Sequence, residues 1–198
     1  MDFGQTLLYL TVLVFSVVFH EVSHGWMAEK NGDPTARQTH ALAYDSARGN
    51  VVLFGGLSTA VNGETWVWDG ASWEKKGPTD PEADANPSPR NGQALVYDSA
   101  RGKVVLFGGN TGSVDGETWE WDGSAWSLRA SGGPSPRSNP AMAYDNARGV
   151  TVLFGGYDPD WNGETWEWDG SAWTLRASDG PSPRDRPAMA HDSARGVA

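Results

Sequence analysis

An internal repeat of about 47 residues constrains the fold of this chain more than any other feature. Arg90, Arg137 and Arg184 mark its period, and Arg37 begins a first unit that an insertion lengthens to 53 residues. Periods of roughly 20 to 50 residues are typical of solenoids and propellers, whose units cannot bury their apolar faces alone. We therefore expect an array of similar units packed against one another.

Each unit is predicted to form four short antiparallel strands. A turn containing Asp and Gly, such as residues 45–49, leads to a run of β-branched residues, such as 51–54, that is typical of a buried strand. Residues 65–68 alternate with the period of a strand, and Asp69-Gly70 is a strong hairpin turn before the last strand. The high counts of Gly (25), Pro (12) and Trp (11) fit many short strands joined by tight turns. Such units predict propeller blades or another repeat array.

At these positions the chain resembles the kelch-repeat family. That family carries a double glycine after the second strand of each unit, followed by two aromatic residues separated by six others. The matching residues here are Gly55, Gly56, Trp66 and Trp73; Gly108, Gly109, Trp119 and Trp126; and Gly155, Gly156, Trp166 and Trp173. The first aromatic, usually Tyr in the family, is Trp each time. Because the Trp pairs hold fixed repeat positions, blade packing is favoured over a role as platforms for sugars.

The kelch resemblance covers residues 37–198 and implies an all-β, incomplete propeller of four-stranded blades. The blades would be units 37–89, 90–136 and 137–183, followed by the start of a fourth at 184–198. Propellers close as rings of roughly 4 to 8 blades, whereas this repeat breaks off just before a buried strand. We therefore expect a partial or composite reading frame, with a true gene fusion as the alternative.

Residues 1–36 follow a different pattern and are predicted to form an apolar, transmembrane helix. Residues 7–19 are all apolar or small apart from two hydroxyls, and a helix continuing to about residue 30 would be long enough to cross a bilayer. His20 and His24 lie four residues apart, so a helix places both imidazoles on one face, where they can share a Zn²⁺. Glu21 would then stand beside a metal-bound water as its base.

Residues 1–37 resemble the first catalytic transmembrane segment of the site-2 protease family, which are intramembrane zinc endopeptidases. The resemblance implies His20 and His24 as zinc ligands and Glu21 as the general base. The family takes its third ligand from an Asp on a later membrane helix, and no second apolar span follows Arg37. Zinc is thus the cofactor that this segment predicts, in a site whose third ligand is absent.

Composition excludes two further classes of function. The formal charge is −10, and acidic and basic residues are interspersed without a basic stripe, so no nucleic acid is expected as a partner. Some kelch-type propellers are copper radical oxidases, which need a Tyr cross-linked to Cys. Because the chain has no Cys, that chemistry is excluded and no copper is expected.

Two functions remain open. The first is a non-catalytic binding or scaffold module, tethered to a membrane by its N-terminal helix, that presents its variable loops to a protein or carbohydrate ligand. In this interpretation Trp161, which lies in a variable loop outside the repeat pattern, is the predicted ligand contact, and the recurrent arginines tie loops to neighbouring blades. The alternative is a site-2-type zinc metalloendopeptidase represented by its first catalytic helix.

Overall fold

The computed structural model describes residues 37–58, 60–76 and 86–192, and every regular element in these residues is a β-strand. Its strands belong to one compact unit, Gln38–Ala198. No helix long and apolar enough to span a bilayer occurs in these three ranges. The helix predicted over residues 1–36, with His20, Glu21 and His24, lies outside the described residues.

Three four-stranded antiparallel sheets make up the fold, and we call them blades 1, 2 and 3. Blade 1 contains β1 (Ala41–Asp45), β2 (Asn50–Phe54), β3 (Thr65–Trp68) and β4 (Trp73–Lys76). Blade 2 contains β5 (Ala94–Asp98), β6 (Lys103–Phe107), β7 (Thr118–Trp121) and β8 (Trp126–Ala130). Blade 3 contains β9 (Ala141–Asp145), β10 (Val150–Phe154), β13 (Thr165–Trp168) and β14 (Trp173–Ala177). A small hairpin, β11 (Tyr157–Asp158) and β12 (Asp160–Trp161), lies between β10 and β13. The four strands predicted for each full unit are confirmed.

The turns between first and second strands follow from their Asp and Gly residues. In blade 1 the carboxylate of Asp45 accepts hydrogen bonds from the backbone N–H groups of Ala47 and Arg48, both at 3.1 Å. Gly49 completes the reversal at φ +68°, a conformation that favours glycine over residues with a side chain. The same Asp arrangement closes the β9–β10 turn, where Asp145 accepts from Ala147 and Arg148. Repeated sequence thus gives repeated hairpins.

The core lies in the second strands and between successive blades. Phe54 and Phe107 are both fully buried. In blade 2 the indole N–H of Trp126 donates to Thr65 Oγ1 of blade 1 at 2.8 Å, and its ring meets Phe54 edge to face at 5.3 Å. Trp173 makes the same two contacts one blade further on, with Thr118 Oγ1 at 2.7 Å and with Phe107 at 5.3 Å. The second Trp of a repeat therefore joins its blade to the preceding one.

Candidate functional site

The variable loops and the connections between blades emerge at the same end of the sheets. In an antiparallel meander the loop between the second and third strands lies at the end opposite the hairpin turns. Single bridges join each variable loop to the connection leading into its own blade, through Gln38 and Leu57, Asn91 and Asn110, or Ser138 and Tyr157. We call residues 57–62, 110–115 and 157–162, with Thr59 outside the described part, the loop end. It is the most variable surface of an otherwise regular array.

The double glycines follow the second strand of each blade, at the point where the loop end contacts the next unit. Gly55 and Gly56 have φ values of +68° and +101°, and the N–H of Gly56 donates to Arg90 O in the next unit at 2.9 Å. A Cβ on Gly55 would lie 2.5 Å from the same carbonyl oxygen, so a side chain is sterically excluded. Positive φ values, between +71° and +106°, also occur at Gly108, Gly109, Gly155 and Gly156.

Buried arginines anchor the loop end. The guanidinium of Arg137 is fully buried, and it donates to the carbonyl oxygen of Gly155 at 3.3 Å and to Glu164 at 2.8 Å. Its own carbonyl oxygen accepts from Gly109 N in the preceding blade at 3.0 Å. Arg90 has equivalent bonds one blade earlier, to Gly108 O and Glu117. These arginines therefore link loop and neighbouring blade, and their donors are occupied by protein groups.

The first Trp of each repeat also serves the loop end. Each indole N–H donates to the Glu two residues before it, at 2.8 to 3.0 Å, in the pairs Trp66–Glu64, Trp119–Glu117 and Trp166–Glu164. Burial opposes ionisation of Glu164, but the hydrogen bonds from Arg137 and Trp166 hold its pKa below the ordinary value. This Glu therefore stays an anion that joins the buried arginine to the indole.

The third loop differs from the other two in what it exposes. Tyr157 and Trp161 are directly paired across β11 and β12, with Pro159 at the tip, and their side chains are 43% and 64% exposed. We call residues 157–161 the aromatic hairpin. Its base is fixed, because the backbone of Tyr157 exchanges two hydrogen bonds with Ser138 and Asn162 N donates to Gly156 O at 2.9 Å. The predicted contact residue Trp161 is thus presented to solvent on an anchored element.

A shallow, open depression of about 540 Å³ lies beside the aromatic hairpin, and we call it the groove. It is lined by Tyr157, Pro159, Asp160, Trp161, Ser182 and Pro183. Asp158 is half-buried and Asp160 is exposed. In the part of the chain that the structure describes, neither carboxylate takes part in an ion pair or a side-chain hydrogen bond. Aromatic faces, proline rings and the uncompensated carboxylate of Asp160 therefore lie on one accessible surface, and Asp158 is the cross-strand partner of Asp160.

Several of these residues were missed by sequence reasoning. Tyr157 occupies the loop position of Leu57 and Asn110, so only the strand register reveals that it faces Trp161. The sequence also did not reveal Thr65 as a hydrogen-bond acceptor, because its donor, Trp126, belongs to the next unit. The recurring Gly-Glu-Thr-Trp string, as in residues 63–66, was the available signal for both the Glu–Trp bond and the Thr acceptor.

No group of three or more His, Asp or Glu residues that could hold a metal ion occurs in ranges 37–58, 60–76 and 86–192. His191 fills the repeat position of a Tyr, and its Nε2 lies 3.4 Å from Asp145 Oδ1 in blade 3. The predicted zinc ligands His20 and His24 and the predicted base Glu21 stay predictions.

Comparison with known proteins supports the fold. The chain is similar to a solved structure described as "Structure of YjhT", with 17% sequence identity and a TM-score of 0.56 over 75% of this chain. The match spans about half of that protein, 54% of its chain. Together with the three four-stranded sheets, this likeness indicates a β-propeller-like fold. No protein-family model and no curated protein matches the chain, so the kelch and site-2 protease resemblances stay predictions.

Proposed function

We propose that this protein is a non-catalytic binding or scaffold module that contacts a protein ligand through the loop end of its blades. The observation that carries the proposal is the aromatic hairpin. Exposed Tyr and Trp side chains on a rigid element provide contact area at a low cost in conformational entropy, and such residues are enriched at binding hot spots. The β-propeller-like fold is consistent with this use, because its strands form a scaffold and its loops vary.

The arrangement of the other loop residues supports the same assignment. Arg90 and Arg137, which an anion-binding or catalytic role would need accessible, are buried and bonded to carbonyl oxygens and carboxylates. The Trp66, Trp119 and Trp166 indoles are bonded to their own blades. Within the described residues the side chains of Tyr157 and Trp161 have no such hydrogen-bond partners, and their exposure at the loop end is best explained by contact with another molecule. We include the membrane tether of residues 1–36 in the proposal on the strength of the sequence alone.

The proposal is tested by probing the full chain with peptide and glycan arrays beside a variant that carries Tyr157→Leu and Trp161→Val. These replacements are the residues that the first loop places at the bridge, Leu57 and Val61, so the local ladder is compatible with them. The matched control is Tyr44→Ala, which removes an aromatic side chain that is 59% exposed on β1, away from the loop end.

We expect the double variant to lose the array signal while the control keeps it, with circular dichroism spectra unchanged in both. Unchanged binding in the double variant would overturn the hairpin as the contact surface. Equal loss in the control would likewise refute it, because the effect would then follow from any exposed aromatic residue.

A further inference from the structure

The aromatic hairpin carries two carboxylates that the fold does not use. Two acids of other loops and turns have structural partners: Asp115 lies 3.2 Å from Arg90 and accepts from Glu117 N at 2.6 Å, and Asp122 accepts from Ser124 and Ala125. Asp158 and Asp160 have no comparable hydrogen bond or ion pair within the described residues. The first two variable loops contain no acid in the corresponding tip positions.

The placement of these two acids is unfavourable, because their charges lie across the hairpin from each other. Asp158 and Asp160 are direct partners across the β11–β12 ladder. Like charges opposite one another in an antiparallel pair destabilise it, and a two-residue ladder has little to offset this cost. The whole chain has a formal charge of −10, which adds to the negative potential at this site. A positive ligand group would relieve the repulsion.

The rest of the groove has the chemistry that accommodates such a group. Aromatic faces attract an ammonium or guanidinium ion within about 6 Å, and Trp161 and Tyr157 expose such faces beside Asp160. The rings of Pro159 and Pro183 line the same groove and supply apolar surface for the methylene stem of a Lys or Arg side chain. The basic residue bonded to the groove wall, Arg184, donates to the carbonyl and hydroxyl oxygens of Ser182, both at 2.9 Å.

We infer that the groove beside the aromatic hairpin binds a Lys or Arg side chain from a basic segment of a protein partner. This inference rests on the proposed function and names the chemical class of its ligand. The cation contacts the carboxylate of Asp160 and the ring of Trp161, which both line the groove, and the charge of Asp158 across the ladder adds to the attraction. A charge-assisted hydrogen bond to Asp160 and the cation–aromatic contact act on the same group, so removing either the acidic charges or the ring weakens binding.

The test is an NMR titration of the ¹⁵N-labelled full chain, in which the Trp161 indole signal is identified by its loss in Trp161→Val. The probes are capped pentapeptides of glycine with a central Lys, Arg or norleucine, norleucine being the uncharged analogue of Lys. We expect the Lys and Arg peptides to shift the Trp161 signal in low salt, at least tenfold weaker binding of the norleucine peptide, and weakening with added salt.

Two double variants, each with two acidic side chains replaced by amides, separate the effect of the hairpin carboxylates from the effect of the net charge of the chain. Asp158→Asn with Asp160→Asn should weaken the Lys peptide about tenfold. The matched control, Glu74→Gln with Asp179→Asn, removes the same net charge from exposed positions and should change affinity less than twofold.

The outcomes also distinguish this inference from the proposed function. Equal binding of the norleucine peptide, or equal weakening in both neutralised variants, would overturn the cationic ligand while leaving the hairpin as a contact surface. Glycan binding that is lost in Trp161→Val but kept in the double Asp variant would also overturn the cationic ligand and leave the hairpin as a contact surface. A Trp161 signal unchanged by every peptide and glycan, together with array binding that the hairpin variant retains, would overturn both.

Discussion

Replacing Trp126 with Ala tests the joint between blades 1 and 2. The side chain is 3% exposed, donates to Thr65 Oγ1 and packs against Phe54 of the preceding blade. A buried aromatic side chain removes about 150 to 250 Å² from water, which at about 25 cal/mol/Å² corresponds to roughly 4 to 6 kcal/mol. Measured truncations of large aromatic residues in cores give about 3 to 5 kcal/mol. We expect a loss of about 4 kcal/mol in the free energy of unfolding.

The chain contains a matched control for this substitution. Trp73 holds the same repeat position in blade 1 and meets Trp68 within its own sheet at 5.6 Å, as Trp126 meets Trp121. It is half-buried, and it lacks the contact that Trp126 makes with a preceding described blade. Trp73→Ala should therefore cost about 1 kcal/mol. The difference between the two substitutions isolates the contact between blades.

A second substitution separates the hydrogen bond from the packing. Thr65→Val keeps the shape of the side chain but leaves the indole N–H of Trp126 buried without an acceptor, which costs about 1 to 3 kcal/mol. In the Trp126→Ala background the same change should cost much less, because the donor is gone. The assay is urea unfolding of the full chain, followed by circular dichroism. Equal losses for Trp126→Ala and Trp73→Ala, or additive effects of Thr65→Val and Trp126→Ala, would refute the proposed joint.

Three further predictions concern the arginines, a buried tyrosine and the zinc ligands. Arg137→Ala should destabilise the chain by about 3 kcal/mol because it leaves the buried carbonyl oxygen of Gly155 unpaired and removes the cation beside the partly buried Glu164. Arg184→Ala, at an exposed position, should stay within about 0.5 kcal/mol in urea unfolding. Burial, followed by the neighbouring carboxylate of Asp98, raises the pKa of Tyr144 from 10.0 to about 12. The unfolded chain releases this proton at lower pH than the folded chain does. The contribution of Tyr144 to the free energy of unfolding is therefore intact below about pH 10 and is lost as the pH rises to about 12. Tyr144→Phe should flatten that decline in alkaline unfolding curves. His20→Ala should lower the zinc retained after dialysis without changing peptide binding, whereas stoichiometric zinc with chelator-sensitive peptidase activity would favour the protease alternative.

The strands could be predicted because they depend on local sequence. Alternation in residues 65–68 and the Asp and Gly residues of the turns determine hairpins within about 20 residues of chain. The contact between Trp126 and Thr65 could not be predicted, since it joins residues 61 positions apart and depends on how two sheets face each other. The repeat indicated that such a joint must exist, but it did not identify the two atoms.

The sequence predicted only part of the candidate site. Trp161 stood out because no other unit has an aromatic residue at that place. Tyr157 is likewise the one aromatic residue among Leu57, Asn110 and Tyr157 at its loop position, but only the strand register shows that it is paired with Trp161. The role of Asp158 and Asp160 also required the structure, since the turn acids Asp122 and Asp169 accept backbone hydrogen bonds and these two have no such side-chain bond within the described residues. Whether a carboxylate has a hydrogen-bond or ion-pair partner depends on residues that come close to it only in the folded chain.

Hydrogen exchange of the full chain, measured by mass spectrometry with and without the Lys-bearing pentapeptide, tests the central claim most directly. A scaffold of packed blades with one binding hairpin predicts strong protection in β2, β6 and β10 at all times, since these strands are buried in their sheets. Added peptide should slow exchange in residues 157–162 and 182–184 alone. Weak protection in those three strands would contradict the blades, and slowing that avoids the hairpin would contradict the site.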